Sequence, residues 1–251
     1  MPNLQIKRKL AQGEVVTVVG GHFTNSNMID FLGKLGFAGV WIECEHGPVT
    51  WDQISDMSRA CDLWNMASIV RVPVGEPWVI TRTLDQGASG IVVPHVANAT
   101  EARNVVEAAK FAPLGKRGIY SVCRRSYEVT DYFSRANEET LVVILIEELE
   151  AVNNLDEILA ITGIDVFVVA PNDLAQSMGH IGNWKHPEVQ AAIERSLRQI
   201  AAAGKTAGFL AIEDELSRYL EMGVRFFHAQ WPTWVARGAK EYFAKLAAVS
   251  A

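Results

Sequence analysis

Eight short apolar runs punctuate the chain, and a segment of helical period separates each from the next. The runs are EVVTVVG (14–20), AGVWIE (38–43), ASIVRV (67–72), GIVVP (90–94), LVVILIE (141–147), DVFVVA (165–170), KTAGFLA (205–211) and VRFFHA (224–229). They are continuous rather than alternating and rich in Val and Ile, as strands buried on both faces of a parallel sheet are. Between them, NMIDFLGKLG (27–36) places apolar residues at 28, 31, 32 and 35, and ATEARNVVEAAKFA (99–112) does so at 102, 105, 106 and 109. AVNNLDEILAITG (151–163) reads as one helix. HPEVQAAIERSLRQIAAAG (186–204) carries Pro187 in its first turn and Gly204 just past its end.

Strands alternating with helices in this way predict an α/β fold, a single (β/α)8 TIM barrel over residues 1–251. An open doubly wound sheet is disfavoured by the strand count and because no GxGxxG follows the first run. No linker or composition shift divides the chain. The longest connection, 112–140, contains Arg124 and Arg125. It precedes a strand rather than following one, so packing or assembly is its expected role, with EVTDYFSRAN helical.

Net charge is −6, and no Lys/Arg cluster offers a phosphate-binding face, which argues against nucleic acid. Lys7, Arg8 and Lys9 read as a solvated face. The N-terminal segment has no apolar h-region and no apolar run reaches about 18 residues, so neither a secretory signal nor a membrane partner is expected. Three cysteines without CxxC spacing fit a reducing, cytoplasmic setting without structural zinc. AGKT (203–206) is not a phosphate loop, and no organic cofactor is expected.

Chemistry in such a barrel sits at the carboxyl ends of the strands. There the sequence places Glu43, Glu45 and His46 after strand two, Arg71 after strand three, Glu147 after strand five, and Asn172 and Asp173 after strand six. Glu147 and Asp173 would repel unless a proton or a cation separates them. Carboxylates without Cys or paired His indicate a hard ion, Mg2+ or Mn2+. Alternatively, each acid caps a helix start. Arg71 offers a fixed fork for a carbonyl or carboxylate oxygen. His46 is the expected proton handler, with Glu43 or Asp85 as its orienting carboxylate. His22, His95 and His228 reach the same rim without a motif around them. His180 and His186 read as loop and helix-start residues.

Three segments resemble the HpcH/HpaI aldolases, metal-dependent (class II) pyruvate aldolases of the phosphoenolpyruvate/pyruvate superfamily. They are WIECEHGP with IVRVP behind it, LDQGASGIVVPHVANATEARNVVEAAKFAPLGKRG, and LIEELEAVNNLDEILAITGIDVFVVAPNDLAQSMG followed by HPEVQAAIER. The resemblance implies reversible aldol cleavage of a 4-hydroxy-2-oxo acid to pyruvate and an aldehyde through a metal-stabilised enolate. It puts the divalent metal (Mg2+ or Mn2+, with Co2+ a further candidate) on Glu147 and Asp173. It makes His46, Arg71 and Asp85 catalytic, with Asp85 partnering His46. Arg71, Asn172, Asp173, Glu43 and Leu210 are the expected substrate contacts. It also implies a homo-hexamer, a trimer of dimers, with an exchanged C-terminal helix and subunits that complete each other's sites.

The chain departs from the family pattern at Glu43-Cys44, at Leu145, at VVGGHFTNS and at HAQWPTW. Metal, Arg and His are left intact while the pocket walls are redrawn. An oxaloacetate decarboxylase or an enolate-condensing synthase of the same superfamily is the alternative reading, and a non-catalytic oxo-acid sensor a third. Rapid CO2 release from oxaloacetate would mark the first alternative, and binding without turnover the last. Cys44 and Cys123 read as pocket or packing residues, not nucleophiles.

Overall fold

In the computed structural model, which describes residues 2–120, 123–127 and 129–250, eight parallel strands close into a barrel in chain order. They are β1 (Val16–Gly20), β2 (Gly39–Glu43), β3 (Ala67–Arg71), β4 (Gly90–Val93), β5 (Leu141–Ile146), β6 (Val166–Val169), β7 (Ala207–Leu210) and β8 (Val224–Gln230). Each falls on a run read from the sequence. β1 closes the ring, with Val18 opposite Gly39 on one side and His228 on the other. The helices are α1 (Pro2–Ala11), α2 (Ser26–Gly33), α3 (Trp51–Leu63), α4 (Pro77–Asp85), α5 (Ala99–Ala109), α6 (Tyr132–Glu139), α7 (Leu149–Asn153), α8 (Leu155–Leu159), α9 (Pro171–Ser177), α10 (Pro187–Ala202), α11 (Leu216–Glu221) and α12 (Trp231–Ser250).

Alternation along the strands divides the core in two. Val40, Ile42, Val70, Ile144 and Phe167 pack outward under the helices, while Val18, Trp41, Ile69, Leu145 and Val168 fill the interior. Ile6 of α1 joins the interior group, buried, so α1 stoppers the strand-entry end. Lys7 is therefore not part of a solvated face. Its Nζ lies 3.1 Å from Asp165 and donates to the carbonyls of Glu138 and Thr140.

The expected helix over 151–163 is instead two short ones. Asn154 leaves helical geometry (φ −96°, ψ 11°), and its side-chain amide donates to the Ala97 carbonyl at 3.0 Å. The 112–140 segment serves packing. Arg124 and Arg125 converge on Asp62 of α3, and Arg125 donates to the Gly87 carbonyl. Within EVTDYFSRAN, Glu128 lies outside the described residues, and the helix begins at Tyr132. Asn98 caps α5, its side chain accepting from the amides of Thr100 and Glu101.

Candidate active site

The inward parity that fills the barrel also delivers the polar residues. Glu43, Arg71, Leu145, Leu210 and His228 share it, and they line a cleft of about 340 Å3 at the carboxyl ends of the strands together with His46, Asn172 and Asp173. The predicted substrate contacts thus meet around one cavity.

On the β2–β3 side, Glu43 is a hub. Its Oε2 accepts from Arg71 Nε at 2.8 Å and faces Trp41 Nε1 at 3.4 Å, and its Oε1 accepts from the amides of Glu45 and His46 at 2.8 and 3.1 Å. Burial pushes the Glu43 carboxyl up, but the Arg71 charge and these donors outweigh it and hold the group below the usual carboxylate range. Glu43 therefore does not orient the His46 ring; it fixes the Arg71 fork and the turn that carries His46. The acid beside the ring is Glu45, whose Oε2 lies 4.0 Å from His46 Nε2 and 3.0 Å from Arg71 Nη1. That oxygen is buried without a well-aligned hydrogen bond. The His46 side chain is 57% exposed, open to the cleft mouth.

On the β4–β5 side, Glu147 is buried, and its Oε1 accepts from the His95 amide at 2.7 Å. Burial pushes its carboxyl up to about 7, and the charges of Asp173 and Glu45 push the same way against His95. Burial lowers the His95 pKa, yet Glu147, Glu148 and Glu45 together raise it above the ordinary imidazole value. His95 sits in the left-handed region at φ 55°, where a non-glycine residue stores about 1–3 kcal/mol of strain. Its ring holds Glu148 at 2.9 Å and approaches Glu45 at 3.3 Å. Among the described residues, no Lys or Arg neutralises Glu147 or Asp173. Glu147, driven up chiefly by its burial with Asp173 adding to it, is a group that a hard divalent ion would relieve, and its oxygens and those of Asp173 fit one, with the His95 ring 3.5 Å from Glu147.

The structure does not bring Asp85 to His46 within one chain. Asp85 is the last residue of α4, which runs antiparallel to the strands, so it lies toward the strand-entry end. There its Oδ1 pairs with Arg117 Nη2 at 2.7 Å. Glu45 and His95 stand in the ion-pair network of this rim, and sequence reasoning left both without roles. The signal was present, because both stand at strand ends beside residues already singled out. The Cys44 and Cys61 thiols are not poised as nucleophiles, since burial pushes Cys44 up to about 12 and Cys61 higher still. A second group of possible ligands, His180, His186 and Glu188, lies between α9 and α10. Its two rings stack at 3.6 Å with their planes 15° apart, and one ligand atom from each of the three residues lies within 4.8 Å of the others.

A closed parallel barrel carrying an Arg–carboxylate fork, a histidine, the buried Glu147 and the half-buried Asp173 at its carboxyl rim is equipped as an enzyme for proton transfer beside a developing oxyanion. The profile of the HpcH/HpaI aldolase/citrate lyase family matches residues 22–229, and the chain belongs to that family. It is 35% identical over 224 residues to a hydroxypyruvate/pyruvate aldolase of Roseobacter denitrificans, covering 88% of each chain. It is 38% identical over 229 residues to a 4-hydroxy-2-oxo-heptane-1,7-dioate aldolase of Salmonella dublin, covering 89% of this chain and 87% of that one. The solved structure of an HpcH/HpaI aldolase/citrate lyase family protein from Burkholderia cenocepacia J2315 superposes with a TM-score of 0.90 at 27% identity, over 96% of this chain and 98% of the other.

Proposed function

We propose that the protein is a divalent-metal-dependent aldolase that reversibly cleaves a 4-hydroxy-2-oxo acid into pyruvate, or a closely related oxo acid, and an aldehyde. The observation that carries this reading is the convergence of Arg71, His46, Glu147 and Asp173 at one rim. Glu147 and Asp173 are the residues that would hold the ion, Mg2+ or Mn2+, with Co2+ as a further candidate. When bound, the ion supplies Lewis-acid stabilisation of negative charge on the oxo-acid oxygens.

The chain's own groups do the rest. Arg71, held by Glu43 from one side and Glu45 from the other, presents a permanent positive charge to the keto oxygen as charge develops there. In cleavage, the C4 hydroxyl loses its proton while the C3–C4 bond breaks. The bonding pair passes into the enolate of the oxo acid, and the C4 oxygen becomes the aldehyde carbonyl. His46 takes that proton and returns one to C3, giving the pyruvate methyl group. Asn172 and Asp173, in the first turn of α9, place amides beside the cleft for the substrate carboxylate.

Asp85 enters as a residue that acts on a neighbouring copy's His46 in a homo-hexamer built as a trimer of dimers. Two features support this: its position away from its own cleft, and the exposed α12, whose Val235, Tyr242, Phe243, Leu246 and Val249 lie bare. Three free thiols suit a cytoplasmic setting, and among the described residues no helix is long and apolar enough to cross a membrane.

A retro-aldol screen tests the reading, with pyruvate read out by a coupled dehydrogenase. Chelation is expected to abolish turnover and added Mg2+ or Mn2+ to restore it. Full activity in chelator, or in Glu147→Gln, would refute the metal-dependent mechanism.

A further inference from the structure

A second cluster of ligating side chains lies outside the cleft, in the connection from α9 to α10, and the backbone builds it in short steps. The His180 amide donates to the Ala175 carbonyl at 2.7 Å, the Asn183 amide to the His180 carbonyl at 2.9 Å, and the His186 amide to the Asn183 carbonyl at 2.9 Å. Gly179 and Gly182 supply the positive φ of these reversals, 81° and 72°. The chain thus turns back on itself twice between the two histidines. Their rings come to stand side by side, with centroids 3.6 Å apart. α10 then begins, and Glu188 in its first turn brings a carboxylate oxygen to 3.0 Å from His180 Nε2.

These three side chains have few other partners. Among the described residues, no Lys or Arg pairs with Glu188. Lys185, the cation that lies between the two histidines in sequence, is drawn off by Glu215 and by the Trp184 ring. The hydrogen bond to His180 holds the Glu188 carboxyl below the usual carboxylate range, so the group is anionic. The His186 ring is held loosely: its Nδ1 accepts from the Glu188 amide at 3.4 Å, long for a hydrogen bond. Ligand atoms around one tetrahedral ion stand about 3.4 Å apart. The His180–Glu188 pair already has that spacing, and with its ring proton on Nδ1, His180 turns a lone pair at Nε2 toward the ion. The half-buried His186 ring closes the remaining gap, from within 4.8 Å, by turning out of its stack.

We infer that His180, His186 and Glu188 form a second divalent-cation site, separate from Glu147 and Asp173 and of different chemistry. Two imidazoles with one carboxylate suit a borderline transition ion, Zn2+, Ni2+ or Cu2+, and discriminate against Mg2+, whereas the carboxylate pair of the cleft suits a hard ion. Three protein ligands leave a fourth position for water. An ion held there ties the first turn of α10 to the residues that end α9, the short helix whose first turn carries Asn172 and Asp173. The site does not depend on the aldolase reading, because none of its ligands lines the cleft.

Zn2+ alone is the probe, counted per full-length chain by equilibrium dialysis and elemental analysis. The cleft acids also attract Zn2+, so variants tell the two sites apart. The wild type is expected to hold one Zn2+ that His180→Ala and His186→Asn each bind about tenfold more weakly or lose, and that Glu147→Gln keeps. Asn at 186 preserves the cap of α10, and a metal-free thermal melt of each variant verifies its fold; either variant that folds decides the matter. Zn2+ is also expected to raise the melting temperature of Glu147→Gln but not of the same chain carrying His186→Asn as well. Equal Zn2+ binding by the wild type and the histidine variants, or none by the wild type, would refute the site. If the histidine variants lose an ion and Glu147→Gln loses none, the second site stands while the metal at the cleft is put in question.

Discussion

Arg71 shows how a single charge is made useful here. Two carboxylates from the adjoining strand and its turn hold it, so its orientation is fixed before substrate arrives. Glu45 is shared between Arg71, the His46 ring and the His95 ring. Glu45→Gln is therefore expected to lower kcat by about a hundredfold, with little change in thermal melting, because the amide keeps the shape and loses the charge that steadies both rings. Glu43→Gln is expected to raise KM as well, because the Arg71 fork and the amides of Glu45 and His46 all depend on that carboxylate. Steady-state kinetics on both variants separates the two roles. Much of this was legible in the residues at strand ends, since an acid, a base and a cation there have few other reasons to exist. What could not be read was the division of labour. Glu43 and Glu45 are two residues apart with the same charge, and only the fold shows that one grips the arginine and the peptide turn while the other faces the imidazoles.

Among the elements, the strands were the most legible, because burial on both faces leaves continuous Val/Ile runs that nothing else produces. The helices were less so. The break at Asn154 depends on a carbonyl far away in sequence, at Ala97, and α1 carries no strong apolar stripe although its Ile6 closes the barrel. The junction of α5, α6 and β5 depends on an equally distant contact. Lys110 is buried and donates to the carbonyls of Asn137 and Thr140 at 2.7 and 2.8 Å. Burial, aided by the Lys7 charge, lowers its pKa to about 7. The unfolded chain then binds more protons than the folded one from about pH 7 up to the ordinary lysine pKa of about 10.4, so this group makes stability rise with pH across that window. Denaturant titrations of wild type and Lys110→Met at about pH 6.5 and about pH 9.5 check this, and the stability advantage of the wild type is expected to widen at the higher pH.

For the whole molecule, α12 and Asp85 point outward from the barrel that owns them. Changing Tyr242 and Phe243 together to Glu is expected to shift the sedimentation profile toward smaller species and to lower activity in parallel, since the apolar stripe stands exposed among the described residues. Mixing Asp85→Ala chains with His46→Ala chains is expected to recover part of the activity that neither has alone, and no recovery would return Asp85 to a purely structural partner of Arg117. The stopper formed by α1 has a consequence of a different kind. With Ile6 and the interior side chains packing the far end, the cleft opens at the carboxyl ends of the strands, and two products leaving by that mouth are expected to leave in sequence. With the oxo-acid fragment held by Arg71 and the aldehyde nearer the mouth, as the proposed mechanism has it, the aldehyde is expected to depart first. Pyruvate should then compete with the parent substrate in product-inhibition kinetics, whereas the aldehyde should not.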